Sequence, residues 1–241
     1  MLTYALILAV GYVAGTVSGI IGTGATIILL PVLVFAFGPR EAVPIMAIIA
    51  LMSNFAKITS WWKEIDWRAC GAYALGGVPA AALGAHTLLV LPEKAVDLAL
   101  GVFFLVMVPG RHWLAARSIT IGPWQLVPAG AVIGFLTGIV VSTGPLNLPV
   151  FASYGLVKGA FIATEAASSL ALYISKAITF REFGALPMGI VLKGLISGSA
   201  VMAGTYTARL IVERLSIATF QRLLDIVMLL AGFTMLWAAI R

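Results

Sequence analysis

Apolar stretches long enough to cross a bilayer follow one another along almost the whole chain, and they constrain the fold more than any motif does. A hydrocarbon layer about 30 Å thick takes roughly 20 helical residues. Stretches of this kind run over 2–37, 41–62, 69–90, 95–115, 124–154, 159–180, 184–208 and 216–240. Only short polar turns separate most of them: GPRE at 38–41, KEIDWR at 63–68, LPEK at 91–94, RHWLAAR at 111–117 and REF at 181–183. Lipid offers no water to unpaired backbone groups, so such segments span as helices. Charged residues make up 10% of the 241, against about 25% in a soluble domain. The chain therefore reads as an all-α polytopic membrane protein of about eight to ten helical segments. With no hydrophilic domain of any size, its function has to sit in the membrane.

Several classes fall away on the same grounds. The first stretch lacks a basic leader and a small-residue cleavage site, so it reads as part of the mature fold. A single cysteine, Cys70, excludes an intramolecular disulfide and a cysteine metal cluster. The net charge of +6 fits loop cations that fix topology and meet anionic lipid, rather than nucleic acid. GTVSG at 15–19 is not a nucleophile elbow, and no strand precedes it. The two histidines, His86 and His112, leave SGSA at 197–200 without a positioned base. Metal-binding, nucleotide-binding and cofactor motifs are absent, and the expectation is a non-enzyme without cofactor or metal.

The first and fifth stretches are too long for one crossing. Residues 2–37 as one straight helix would extend about 54 Å at 1.5 Å per residue. Each reads instead as two helical pieces joined at a break, near Gly19–Gly24 and near Ser142–Pro145. An internal repeat links them: GYVAGTVSG at 11–19 and GAVIGFLTG at 130–138 share a glycine at every fourth position, 119 residues apart. GTG at 22–24 falls beside STG at 142–144, LLPVLVF beside NLPVFAS, and Lys57 on Lys176 at the same offset. The expected organisation is two membrane repeats, 1–117 and 118–241, forming one transport domain with a site between discontinuous helices. Single crossings at the breaks would make the repeats parallel, whereas hairpins would invert them. Counted for single crossings, Lys63, Arg68, Arg111, Arg117, Arg181 and Arg241 share one side, which favours both termini in the cytoplasm, and hairpins give a similar bias with different members.

A helix that restarts inside the membrane begins with N–H groups that have no intrahelical partner and carry partial positive charge. Its natural ligand is an anion. Gly22, Thr23 and Gly24 in one half, and Ser142, Thr143 and Gly144 in the other, are therefore candidate substrate-binding residues. The glycines at 11, 15, 19, 130, 134 and 138 carry the small-xxx-small pattern of close helix packing. Pro31 and Pro149 are expected to kink or end a half-helix rather than touch substrate.

Ionisable residues within spans are costly and mark function by default. Lys57 and Lys176, about five residues from the ends of their stretches, either snorkel to the interface or face the two breaks as a symmetric pair. Lys193 lies deeper, as does Glu165. The two are expected either to pair with each other, or to serve an anion (Lys193) and a coupling proton (Glu165). Asn54 and Tyr173, with Ser53, Asn147, Ser168 and Ser169, complete the polar candidates, each equally able to bond between helices.

GYVAGTVSGIIGTGATIILLPVL, then SWWKEIDWRACGAYALGG followed by VPAAALGAH, then LPEKAVDLALGVFFLVM, resembles in order the first half of the sulfite/sulfonate exporter family, TauE/SafE. The second copy resembles its duplicated half, so the likeness covers nearly the whole chain. Its most specific parts are the glycine-rich break followed by proline and the I-D-W-R turn. The resemblance implies a multi-pass inner (plasma) membrane exporter of small anions such as sulfite, sulfoacetate or other organosulfonates. The family's break often reads G-x-G-G-G, whereas GTGAT and STGPL stand here, a departure that bears on substrate identity. The mechanism expected is alternating access around the two breaks, with the anion and the lipid bilayer as partners, and with drive by the membrane potential and coupling to protons both open. A homo-oligomer, a passive anion channel and a non-transporting membrane scaffold stay open as alternatives.

Overall fold

The computed structural model describes residues 2–21, 24–92, 120–139, 144–156 and 158–208, with isolated helical positions between 95 and 113 and at 229, 233 and 237. Gly22, Thr23, Ser142 and Thr143 lie outside the described residues, as do most of the stretches 95–115 and 216–240. Eight helices are described: α1 (Leu2–Ile21), α2 (Ala25–Phe37), α3 (Pro39–Trp61), α4 (Trp67–Val90), α5 (Leu126–Ile139), α6 (Gly144–Ser153), α7 (Lys158–Glu182) and α8 (Met188–Ala208). No strand occurs among the described residues. Among the described residues four segments are long and apolar enough to cross a membrane: Thr3–Ile20, Pro39–Glu64, Trp67–Val90 and Met188–Ala208.

Local signals set the helix ends. Gly38, with φ of 77°, turns the chain between α2 and α3, and Pro39 opens α3 where a missing N–H costs nothing. The I-D-W-R turn is the N-terminus of α4. The Asp66 carboxylate accepts from the amides of Arg68 and Ala69, both at 3.0 Å, and so caps the helix. Both short helices run on through their prolines, Pro31 in α2 and Pro149 in α6, so neither proline ends a helix.

The broken stretches are hairpins. Tyr4 at the start of α1 meets Phe37 at the end of α2, ring centroids 6.0 Å apart, so α2 returns to the end from which α1 set out. In the second hairpin the amide of Ile121, just before α5, donates to the carbonyl of Ser153 at the end of α6, at 3.0 Å. The two hairpins start from opposite ends of the bundle. The Tyr4 end gathers the start of α3 and the ends of α4 and α7 around one cavity, with Pro39, Leu91 and Gly184 among its walls. The opposite end joins Glu64 to Gly159 and the Asp66 amide to Thr164, and α5 starts there.

This placement follows from two parallel helix pairs. Along α1, a Cβ at Gly15 would overlap the carbonyl of Val201 in α8, and one at Gly19 would press on Thr205 and Ala208. Along α5, a Cβ at Gly134 would overlap the carbonyl of Gly77 in α4, and one at Gly138 that of Ala81. Each glycine stripe lets two backbones approach to a distance that any side chain would prevent. The charge tally changes accordingly. Arg181, at the end of α7, sits at the Tyr4 end while Lys63 and Arg68 sit at the other, so the members of each side differ from the single-crossing count.

α7 is polar inside and apolar outside. Thr164, Glu165, Ser168, Ser169, Tyr173 and Lys176 follow a helical period, and all are buried. Ile174 and Ile178 on its other face are exposed, as are Leu75, Leu83, Val132 and Leu192 on neighbouring helices. An outer surface of that kind suits lipid, and an inward polar stripe marks where membrane proteins do their work.

Candidate functional site

The two hairpin tips meet at one cavity. Gly24 and the first turn of α2 (Ala25, Thr26) form part of its wall, and Gly144 and Asn147 of α6 form another. Ser53, Asn54 and Lys57 of α3 line it, together with Glu165, Ser169 and Tyr173 of α7, Ser18 of α1 and Thr137 of α5. Its volume is about 30 Å³, and since one water takes roughly 10–15 Å³ on this measure, there is room for about two waters or one small ion.

Gly24 has a positive φ of 115°, in the region that L side chains rarely adopt, and caps α2 with no side-chain hydrogen bond. The positive end of α2 is therefore presented by backbone alone. Lys57, on the opposing wall, is 5% exposed and reaches Asn54 Oδ1 at 3.4 Å. Lys176 is fully buried and donates from Nζ to the carbonyl of Thr137 at 2.7 Å, with its ammonium 5.4 Å from the Phe180 ring centroid. Neither lysine snorkels. Both are held within the bundle, Lys57 at the cavity and Lys176 behind its Thr137 wall.

A hydrogen-bond network orients the opposite side. The Tyr73 hydroxyl of α4 donates to Asn147 Oδ1 at 2.6 Å, which turns the amide nitrogen toward α7. Asn147 Nδ2 then donates to Glu165 Oε1 at 2.9 Å and to Ser169 Oγ at 3.1 Å, and Ser169 Oγ donates to the same Oε1 at 2.8 Å. Ser53 Oγ and Glu165 Oε2 are buried with no hydrogen-bond partner among the described residues.

Of the residues singled out in the sequence, Gly24, Gly144, Asn54, Lys57, Glu165 and Tyr173 come together at the cavity, and Lys176 stands one layer back. Ser53, Asn147 and Ser169 join them, whereas Ser168 lies off the cavity wall. Lys193 does not belong with this group. Its Nζ pairs with Glu41 at 2.7 Å and lies 4.6 Å from the Phe37 ring centroid, with the two charged side chains 29% and 44% exposed. The expected Lys193–Glu165 pair is thus absent, because α8 begins at Met188 and leaves Lys193 in its second turn at the Tyr4 end.

The family follows from the sequence comparison. The family model described as "Sulfite exporter TauE/SafE" matches residues 7–235. The chain belongs to the TauE/SafE family. Two relatives share its length: "Probable membrane transporter protein y4hK" of Sinorhizobium fredii (strain NBRC 101917 / NGR234), 29% identical over 83% of this chain and 85% of its own, and "Probable membrane transporter protein YjnA" of Bacillus subtilis (strain 168), 23% identical over 95% and 98%. No solved structure matches. TauE/SafE membership makes this a multi-pass membrane transporter rather than an enzyme. Four residues that sequence reasoning did not single out complete the site in this TauE/SafE chain: Ser18, Thr26, Thr137 and Tyr73. Thr26 carried a signal, two positions past the glycine break. Ser18 and Thr137 sit inside the glycine stripes, where packing masks them, and Tyr73 reads as one more aromatic in a span.

Proposed function

We propose that this TauE/SafE protein is a secondary transporter that carries a small oxyanion through this cavity by alternating access between two inverted repeats. The observation that carries the reading is the convergence of both hairpin tips, at Gly24 and Gly144, on one buried cavity walled by Lys57. Two helix starts and a buried ammonium are the donors an anion requires, in surroundings where water cannot compete. Gly24, Gly144, Ser53, Asn54 and Lys57 would contact the ion, and Lys176 would add charge from behind Thr137.

Repeats 1–117 and 118–241 are supported by an exchange of partners. The α1 stripe packs on α8 as the α5 stripe packs on α4, so the first helix of each half rests on the third stretch of the other. Equivalent contacts fall 119 apart in the stripes (Gly15 and Gly134) and 124 apart in their partners (Gly77 and Val201). Hairpins that start from opposite ends support an inverted relation, the arrangement in which rocking one half against the other opens a central site to alternate faces.

Sulfite is the first candidate substrate by the family description, followed by sulfoacetate and other organosulfonates. A volume of about 30 Å³ suits an ion of a few atoms, so a longer sulfonate would bind only in a wider state. Outward transport across the inner (plasma) membrane is the direction carried by the family description, in a cell that accumulates the anion. The test is thermal stability of the purified protein with sulfite, sulfate, taurine, sulfoacetate and carboxylate analogues. A ligand at 100 times its Kd adds about 2.7 kcal/mol to the folded state. Stabilisation by at least one oxyanion is expected, and none by any would overturn the reading. Saturable counterflow in vesicles then separates a transporter from a channel.

A further inference from the structure

We propose that Glu165 is a proton site linked to the anion site, so that an oxyanion binds with the Glu165 carboxyl protonated on Oε2. This rests on the anion reading above and adds to it what the second occupant of the cavity is. Glu165 is 3% exposed and its two oxygens are treated differently. Oε1 accepts from Asn147 and Ser169, and the Tyr73 hydroxyl on Asn147 Oδ1 fixes which way the amide points. Oε2 is buried and has no hydrogen-bond partner among the described residues. A lone pair left unpaired on an ionised, buried carboxylate bears its full desolvation cost. A proton on Oε2 turns that atom into a donor, on a side chain that forms part of the cavity wall an anion would meet.

The charges around Glu165 agree with a proton rather than a metal cation. Lys57 faces it from α3 and lines the same cavity, Tyr73 faces it from α4, and Tyr173 follows on its own helix. α6 contributes the neutral Asn147, and Asp66, near the start of α7, is occupied in capping α4. An alkali cation held by Glu165 from the cavity would share about 30 Å³ with the Lys57 side chain. A proton taken from water on the open face forms one O–H bond on Oε2, and the same bond breaks on release. An arriving anion placed beside an ionised Glu165 would be repelled, whereas a protonated carboxyl offers it a donor. One carboxyl serves, because the matching position in the first half, 119 residues earlier, is Met46, on the wall of the same cavity. A univalent anion and its proton then cross without net charge, and their two gradients together set the direction.

The experiment is calorimetry on the full chain with methanesulfonate and sulfate, whose charges do not change across neutral pH, in two buffers of different ionisation enthalpy. Sulfite is measured alongside. Uptake of close to one proton per anion is expected, with affinity falling about tenfold per pH unit on the alkaline limb. Glu165→Gln keeps a donor at this position and is expected to bind with pH-independent affinity and no proton uptake. Binding by the wild type without proton uptake would overturn the inference and leave the anion reading standing, as would a sodium requirement or an unchanged pH profile in E165Q. Failure of every anion to bind the wild type at any pH would overturn both. Should E165Q fail to fold, the wild-type proton count alone decides.

Discussion

Lys176 donates its ammonium to the carbonyl of Thr137 across 2.7 Å, joining the polar stripe of α7 to the last turns of α5 just behind the central cavity. A charge-assisted hydrogen bond of this kind contributes about 1.5–3 kcal/mol. Lys176→Met, which keeps the length and removes the charge, is expected to fold while losing about tenfold or more in anion affinity. Lys57→Met, at the cavity itself, is expected to lose at least as much. Anion-dependent thermal shift reads both, and unchanged shifts would assign the two lysines to structure alone.

Lys193 serves as the contrast. Its pair with Glu41 is partly exposed at the Tyr4 end, where ion pairs contribute about 0–1 kcal/mol. Lys193→Ala is expected to leave anion binding and transport at wild-type levels and to shift stability only slightly. A transport defect comparable to that of the Lys57 variant would return Lys193 to the substrate path.

The glycine stripes make a stability prediction. Gly15→Val and Gly134→Val each drive a side chain into the backbone of the partner helix, where α8 and α4 have no flexible atom to yield. Overpacking of this kind costs about 1–3 kcal/mol, occasionally more. Both variants are expected to lower the melting temperature and the yield of folded protein. Gly71→Val in α4, where a Cβ would meet nothing within 4 Å, is the control, expected near wild type.

Asp66 is expected to act through its cap. Asp66→Ala removes the acceptor of the Arg68 and Ala69 amides and should cost about 0.5–2 kcal/mol, while Asp66→Ser or Asp66→Asn should recover most of it. Melting curves of the three variants make the comparison.

Much of the site was legible because burial of polarity in a membrane is costly and therefore conspicuous. Lys57, Glu165, Asn54 and Asn147 stand out in apolar stretches on composition alone, and Gly24 and Gly144 stand out as breaks. Lys193 stood out in the same way and belongs elsewhere, since hydropathy placed the start of its stretch four residues before α8 begins. Tyr73 gave no signal, because a tyrosine in a span looks the same whether it faces lipid or orients an amide.

The sequence by itself determined the membrane class, the helical stretches and the two breaks. These depend on transfer free energy and spacing along the chain, which are local. Only the tertiary structure decided that each break is a hairpin tip and that the two hairpins start from opposite ends. It also decided that Lys193 pairs with Glu41. A break in a helix costs the same whether the chain goes on or turns back. The choice is made by contacts far apart in sequence, such as Gly15 against Val201 and Gly134 against Gly77.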